Sequence, residues 1–443
     1  MKKHSVAMQA QKCRGCTACI KTCPTDAIRV RGRKAILLPD RCIDCGKCVQ
    51  ICPHNAIHPA GDPLEKMDRF RYKVALPEPA LFGQFHNLDD PNIVVGALLK
   101  IGFDDVFEVA AAAELLSDLA RRDFSPGRPL PRITSACPTV LRIIRMRFPR
   151  LIPHIEPVVL PMELAAELAR EEAVKKTGLS PREIGVFAIV PCSAKITTAH
   201  APMALEKPVI DGAFAINDVY LRLLGPMKEV AENPPQLSRT GALGLTWGYC
   251  GGESAARLEQ NYVAVDGIDN VIRMLEEIED GRLPDADFVE LTACVQGCVG
   301  GCLNVENPYA AKMRLAHLAA KLPPKRNTLA FSPAARRKAI FQQDLDYIPA
   351  FRLDTDRGAA MEKLFRIDQL AESLPGLDCS SCGAPSCRAL AEDVVLGRAS
   401  LDDCIFKVRE RMRSVSEDPD SYLPAPFRRK SPAPPAEEEE KPL

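Results

Sequence analysis

The cysteines carry the chemistry of this sequence. There are 18 of them, in three zones. Eight lie between Cys13 and Cys52, six in the middle (Cys137, Cys192, Cys250, Cys294, Cys298 and Cys302), and four between Cys379 and Cys404. Such intervals suit metal ligands, with several thiolates delivered by one loop. The start, Met1-Lys2-Lys3-His4, leads into no apolar stretch of the kind a secretory signal needs, and no apolar run is long enough to span a bilayer. The expected location is cytoplasmic, with no membrane partner. There the thiol pool is kept reduced, so disulfides do not explain the cysteines. Lysine plus arginine equals aspartate plus glutamate at 58 each, which leaves no basic footprint for nucleic acid.

Cys13-x2-Cys16-x2-Cys19-x3-Cys23-Pro24 recurs 29 residues later as Cys42-x2-Cys45-x2-Cys48-x3-Cys52-Pro53. This is the bacterial ferredoxin spacing. Three thiolates of a tight loop take three corners of an iron–sulfur cubane, and amides of the loop donate to its sulfurs. The fourth cysteine starts a short helix and reaches across to the other cubane. Cys13, Cys16, Cys19 and Cys52 are expected to hold one [4Fe-4S] cluster, and Cys42, Cys45, Cys48 and Cys23 the other. Zinc would take two separated CxxC pairs and has no use for the Cys-Pro ending. Residues 1–60 resemble a two-[4Fe-4S] ferredoxin domain, which moves single electrons.

Cys379-x2-Cys382-x4-Cys387-x16-Cys404 is a different set, suited to one further [4Fe-4S] cluster, with a helix expected over RALAEDVVLGRASLDD. Zinc is a closer rival here. The stretch resembles the four-cysteine iron–sulfur domain found beside electron-transfer and corrinoid proteins, which favours iron.

The middle cysteines need elements that bring them together. PRITS (131–135) precedes Cys137, EIGVFAIV (183–190) precedes Pro191-Cys192, ALGLTW (242–247) precedes Cys250, and DFVELT (287–292) precedes Ala293-Cys294. Each reads as strand, turn and then helix. Open α/β sheets place their sites at the carboxyl ends of strands, so four cysteine-bearing loops are expected to converge on one pocket. MELAAELAREEAVKK (162–176) reads as a helix stopping at Thr177-Gly178. Residues 321–355 read as a helical or extended connector. The tail from Ser431 is rich in proline and glutamate and is expected to be disordered. The predicted domains are 1–60, 61–350, 351–425 and a tail over 426–443.

The central motifs resemble those of the [FeFe]-hydrogenases. Thr134-Ser135-Ala136-Cys137-Pro138 is similar to the family's TSCCP, and Pro191-Cys192-Ser193-Ala194-Lys195 to its PCxAK. Glu290 through Ala293-Cys294, Cys298 and Gly300-Gly301 are similar to its ExxACxxGCxxGG. The resemblance spans about residues 75 to 320 and implies an α/β fold. A two-lobed domain of mixed sheets flanked by helices would carry an N-terminal α+β ferredoxin domain and a small, mostly helical C-terminal iron–sulfur domain. It implies that Cys137, Cys192, Cys294 and Cys298 hold a [4Fe-4S] cube. Cys298 would also bridge to a two-iron subcluster with carbon monoxide, cyanide and azadithiolate ligands, and Lys195 would hydrogen-bond a cyanide. Ser135, Ala136 and Pro191 would line the cofactor. H2 would be the substrate, ferredoxin or another redox or signalling protein the electron partner, and hydrogenase maturation proteins the source of the two-iron unit.

This chain departs from the family at Ala136, where active members carry a proton-relaying cysteine. Together with Val190 and Cys302-Leu303 after the third motif, this resembles the family's sensory or regulatory branch, which implies slow turnover. Glu253 and Cys250, in Trp247-Gly-Tyr249-Cys250-Gly251-Gly252-Glu253, are the candidate relay. The plainer alternative makes Cys250 a small buried residue and Glu253 a helix N-terminal charge. The seven histidines form no set, and no dinucleotide or P-loop motif is present. Four cubanes and a two-iron unit would hold about 18 irons. The alternative function is a hydrogenase-like iron–sulfur protein without the two-iron unit, acting in cluster assembly or electron transfer.

Overall fold

The computed structural model describes residues 4–121, 127–283, 285–326, 329, 332–350 and 352–413; the tail expected over 426–443 lies outside them. The chain divides into two compact units. One is drawn from Met1–Cys13, Thr22–Ala27 and Leu37–Phe351, the other from Arg14–Lys21, Ile28–Ile36 and Arg352–Leu443.

Four short strands fall in the first 60 residues: β1 (Val6–Met8), β2 (Ile28–Arg31), β3 (Lys34–Leu37) and β4 (Ile57–Pro59). β1 and β4 pair antiparallel, Val6 opposite Pro59 and Met8 opposite Ile57. β2 and β3 are neighbours joined by Gly32-Arg33, whose φ angles of 53° and 61° make the two-residue turn that matches strand twist. The sequence repeat is also a backbone repeat. Gly15 and Asp44, Thr17 and Gly46, and Asp26 and Asn55 are pairs at the repeat interval, and all six have positive φ. The Ala27 N–H donates to Cys23 Sγ at 3.2 Å and the Ala56 N–H to Cys52 Sγ at 3.3 Å. These are amide donors of the kind a cubane's ligands need.

The first unit holds two larger sheets, made from β5 (Tyr72–Pro77), β6 (Asp105–Val106), β7 (Arg132–Ile133), β8 (Ile184–Val190), β9 (Gly212–Ala215), β10 (Tyr262–Asp266) and β11 (Phe288–Thr292). One runs in the order β6-β5-β8-β9, the other β10-β11-β7. Every pair in both is parallel. The expectation of mixed sheets is corrected on this point. The chain returns from each strand to the same end of its sheet, largely through crossover helices, and such connections make parallel pairs. β8 is buried at all seven residues, which is why IGVFAIV is a continuous apolar run rather than an alternating one. Phe187 on β8 stacks on Phe214 of β9 at 5.3 Å and meets Phe70 edge-on at 5.6 Å. Helix Pro161–Thr177 buries Ala165, Ala166, Ala169 and Ala173 and stops at Gly178 (φ 70°), where the sequence placed its end.

Residues 242–247 are not a strand. Ala242–Leu245 is a helical turn and Thr246–Gly248 a 3-10 turn. A short apolar run fits either element, and here close packing decides: a Cβ on Gly244 would meet the Ala110 carbonyl at 2.2 Å. No helix follows Cys294 directly; the chain turns through Gln296 and Gly297 into the 3-10 turn Cys298–Gly300. The 321–355 connector includes the helix Pro333–Ala339.

In the second unit, helices Arg357–Ser373 and Cys387–Val395 share a small core with Leu374, Ala384 and Cys404. The helix expected through 403 ends at Val395. Gly397 takes φ 70°, and the Arg398 N–H turns back to the Asp393 carbonyl. No described helix is long and apolar enough to cross a membrane.

Candidate metal centres

Three strands, from two sheets, deliver the central thiols. Cys137 leaves β7 and caps the helix Pro138–Arg147; Cys192 leaves β8 and caps Ser193–His200. Both therefore sit at helix N-termini, where negative charge is favoured. Cys294 leaves β11, and Cys298 opens the turn that follows. A Cβ on Gly297 would meet the Cys250 backbone nitrogen at 2.5 Å, and its φ of 85° is left-handed, so only glycine fits the bend between the two cysteines. All four thiols line one cavity, together with Ala136, Lys195, Glu253 and Glu290.

Burial pushes the thiols of Cys192 and Cys294 well above their ordinary range, and that of Cys298 up to about 11. Four converging thiolates are unfavourable until a cation takes the place of their protons. The donor set is soft sulfur only, which suits an iron–sulfur cluster. Lys195 Nζ lies 2.7 Å from Glu78 Oε2 and 3.8 Å from Cys298 Sγ. Burial alone would lower its pKa, but Cys298 and Glu78 outweigh that and raise it, so Lys195 is an ammonium. Glu78 Oε1 is buried with no hydrogen-bond partner among the described residues. Sequence reasoning missed Glu78. Its signal was its place one residue beyond the carboxyl end of β5, where such folds put their sites.

Of the candidate relay, Glu253 is among the residues lining the cavity and Cys250 is not. The Cys250 N–H donates to the Gln296 carbonyl at 3.1 Å, and burial followed by the nearby Glu290 carboxylate pushes its thiol up to about 12. Glu253 accepts from the Thr134 hydroxyl at 2.6 Å and lies 3.3 Å from Arg257. Glu290, which opens the third motif and was given no role there, accepts from Ser254 Oγ at 2.8 Å and from the Gly251 N–H at 2.8 Å. Burial raises the pKa of both carboxyls, and each lies in the other's field. Behind Glu253, Arg257 pairs with Glu156 at 2.5 Å and with Glu259 at 2.9 Å. Ser135 and Pro191 hold loops rather than line the cavity: Ser135 Oγ donates to the Val158 carbonyl at 2.6 Å, and the Pro191 carbonyl accepts from the Leu303 N–H at 2.9 Å.

The second ferredoxin-type loop reaches the same cavity, because Cys45 is in its wall. Ser193 Oγ, next to Cys192, donates to the Asp44 carbonyl at 2.7 Å. A Cβ on Gly46 would meet Cys302 Sγ at 2.5 Å, so Cys302 is packed between that loop and the central cysteines. Cys23 lies in the electrostatic field of both Cys42 and Cys45, as its crossing to their cluster requires. Burial pushes the Cys45 thiol up to about 12. Cys13 and Cys52 belong to the first unit, Cys16 and Cys19 to the second. Cys379, Cys382, Cys387 and Cys404 line their own small cavity. Its loop is shaped by positive φ at Asp378, Ser380 and Gly383, and the Cys387 N–H donates to Asp378 Oδ1 at 2.6 Å. The four C-terminal thiols fit a cubane by number and type of donor.

Known families match all three zones. Residues 72–219 and 250–302 match the iron only hydrogenase large subunit, C-terminal domain. Residues 12–63 match the 4Fe-4S dicluster domain and residues 374–406 an Fe-S cluster domain. The chain is an [FeFe]-hydrogenase-like iron–sulfur protein.

Among individual relatives, Iron hydrogenase 1 of Clostridium pasteurianum is 23% identical over 272 residues, which is 50% of this chain. The match covers 46% of that protein, about half its length. A solved [FeFe]-hydrogenase HydA1 from Chlamydomonas reinhardtii is 15% identical, with 65% of this chain and 98% of that one covered and a TM-score of 0.46. HydA(deltaEFG), solved in work on stepwise H-cluster assembly, is 17% identical, with 65% and 96% covered and a TM-score of 0.45.

Proposed function

We propose that this protein interconverts H2 with protons and electrons at an H-cluster, slowly and in a sensory or regulatory role. One observation supports this most: four cysteines from the ends of three strands share one cavity with Lys195, whose ammonium is paired with the buried Glu78. An electron carrier alone needs no such cavity. When bound, the two-iron unit would supply an open Lewis-acidic iron beside an amine base.

The protein's own groups divide the remaining work. Cys137, Cys192, Cys294 and Cys298 would hold the cube, with Cys298 the thiol that would also serve the two-iron unit. Lys195, held by Glu78, keeps its ammonium 3.8 Å from the Cys298 sulfur, where it would donate to a cyanide ligand of the two-iron unit. Ala136 has no proton to exchange. In its place Glu253 holds a proton at its carboxyl, oriented by Thr134, with Glu290 as a second carboxyl on the cavity wall. The charged run Arg257, Glu156 and Glu259 leads outward from Glu253. Cys42, Cys45, Cys48 and Cys23 would hold the cluster beside the cavity, since Cys45 stands in its wall, and that cluster would supply one-electron transfer toward ferredoxin or another redox or signalling protein. Hydrogenase maturation proteins would supply the two-iron unit.

The test is H2/D2O exchange by anaerobically reconstituted protein supplied with the two-iron cofactor. HD formation that is lost in Cys298→Ala is the expected result. Full cubanes with no HD would replace this reading with a hydrogenase-like protein acting in cluster assembly or electron transfer.

A further inference from the structure

We infer that the first unit holds a further ligand site, a cavity beside Cys42 that binds a small organic carboxylate with an apolar body. The cavity encloses about 280 Å³, at the lower end of the roughly 300–1,000 Å³ of small-molecule sites. Every residue of its wall belongs to the first unit. Of the four thiols expected to hold the second ferredoxin-type cluster, only Cys42 is in that wall, so the space is not the bed of the cubane. None of the central cysteines is in it either, and binding there does not depend on the hydrogenase reading.

Its positive charge comes from one helix. Arg142, Arg145 and Met146 stand at i, i+3 and i+4 on Pro138–Arg147 and so share a face. Arg142 Nη1 donates to Asp44 Oδ2, and His4 Nδ1 lies 2.8 Å from the same oxygen. The Arg145 Nε–H donates to the Asp346 carbonyl at 2.7 Å, while its Nη1 and Nη2 have no hydrogen-bond partner among the described residues. Those two nitrogens form a fork that fits the two oxygens of a carboxylate. Burial lowers the pKa of Arg145; Asp346 opposes this, and the cation of Arg142 adds to it. A guanidinium stays charged all the same, so two like charges share one partly buried wall, and an anion there relieves both. Asp40, the carboxylate among the lining residues, is exposed, where water and salt screen it.

The remaining wall is mostly apolar, with Met146, Pro202, Met203, Ile348 and Pro349. It is also preformed. Gln343 Nε2 donates to the Met203 and Leu205 carbonyls at 3.1 and 3.2 Å, and the Ile348 N–H donates to the Arg145 carbonyl at 3.0 Å. A ligand therefore has little left to order, which favours binding. An inorganic anion would leave the apolar wall unused, and a neutral apolar molecule would leave the Arg145 fork unpaired. A carboxylate with an apolar body uses both. Because Cys42 is in the wall, the bound anion would add negative charge beside the second ferredoxin-type cluster and make it harder to reduce, a consequence that rests on the iron–sulfur assignment of Cys42.

The test is calorimetric titration of benzoate and of hexanoate into full-length, anaerobically reconstituted protein, with inorganic phosphate and benzyl alcohol as controls. Saturable binding of one carboxylate per chain is expected, weakened at least about tenfold in Arg145→Met and partly restored in Arg145→Lys. Ile348→Glu, at a position 46% exposed that accepts a charge without unfolding, should weaken it as well by placing a like charge in the wall. No saturable binding of either carboxylate, or equal binding by wild type and both Arg145→Met and Ile348→Glu, overturns the inference. Phosphate or benzyl alcohol binding as tightly as the carboxylates overturns the ligand class. An EPR-monitored redox titration reads the consequence separately: benzoate should lower the potential of one ferredoxin-type cluster in wild type and not in Arg145→Met. A potential unmoved at saturating benzoate overturns the link to the cluster and leaves the hydrogenase reading untouched.

Discussion

Removing Glu78 should strand a buried charge, and the cost should depend on whether the cavity is filled. The Lys195 and Glu78 side chains are 6% and 3% exposed and 2.7 Å apart. In metal-free Glu78→Ala, the Lys195 ammonium keeps the Cys298 sulfur at 3.8 Å as a neighbour, but burial holds that thiol protonated and it carries no counter-charge. Truncating one partner of a buried ion pair costs about 3–5 kcal/mol. Bound cluster places thiolate charge beside Lys195 and supplies part of the missing counter-charge, so the loss in loaded protein should fall to roughly half, on the order of 2 kcal/mol. Anaerobic urea unfolding of both forms measures this, and Glu78→Gln isolates charge from shape. A loss below about 1 kcal/mol in both forms would refute the reasoning, because it would mean that Lys195 is neutral or not held by Glu78.

Glu253→Gln should lower HD exchange about 10²-fold while leaving the iron content unchanged, with Glu253→Asp retaining part of the rate; an unaltered rate removes Glu253 from the relay. Ala136→Cys should raise turnover by placing an exchangeable thiol in the cavity wall, read as H2 evolution from reduced dye. Glu163 gives a pH test outside the site. Its carboxyl accepts from the Leu160 N–H at 3.0 Å, and burial pushes its pKa up to about 7. Between about pH 4.5 and 7 the folded form keeps a proton that the unfolded form has lost, so stability falls as pH rises through that window, by about 3 kcal/mol in all, and is flat above it. Glu163→Gln keeps an acceptor without the ionisation, so the difference in urea stability between pH 5 and pH 8 should shrink.

The sequence was most readable where chemistry fixes spacing. The ferredoxin repeat surfaces again as matching left-handed residues, Gly15 with Asp44 and Thr17 with Gly46. The strands before Cys192 and Cys294 were legible because buried parallel strands are short, mostly apolar runs. The stretch before Cys250 was misread for the same reason, since a buried helical turn packed on Gly244 has the same composition. Glu78 and Glu290 could not be assigned roles from local pattern. Their functions depend on partners far along the chain, Lys195 for Glu78 and Ser254 with Gly251 for Glu290. Cys250 was drawn in by its neighbours in sequence, but the turn that presents Glu253 to the cavity leaves the thiol off its wall.

The most direct measurement is the infrared spectrum of anaerobically purified protein after addition of the two-iron cofactor. Carbon monoxide and cyanide stretching bands that shift under H2, with the cyanide bands displaced in Lys195→Met, are expected if Cys137, Cys192, Cys294 and Cys298 hold a working H-cluster. Full cubanes without any such bands would contradict it.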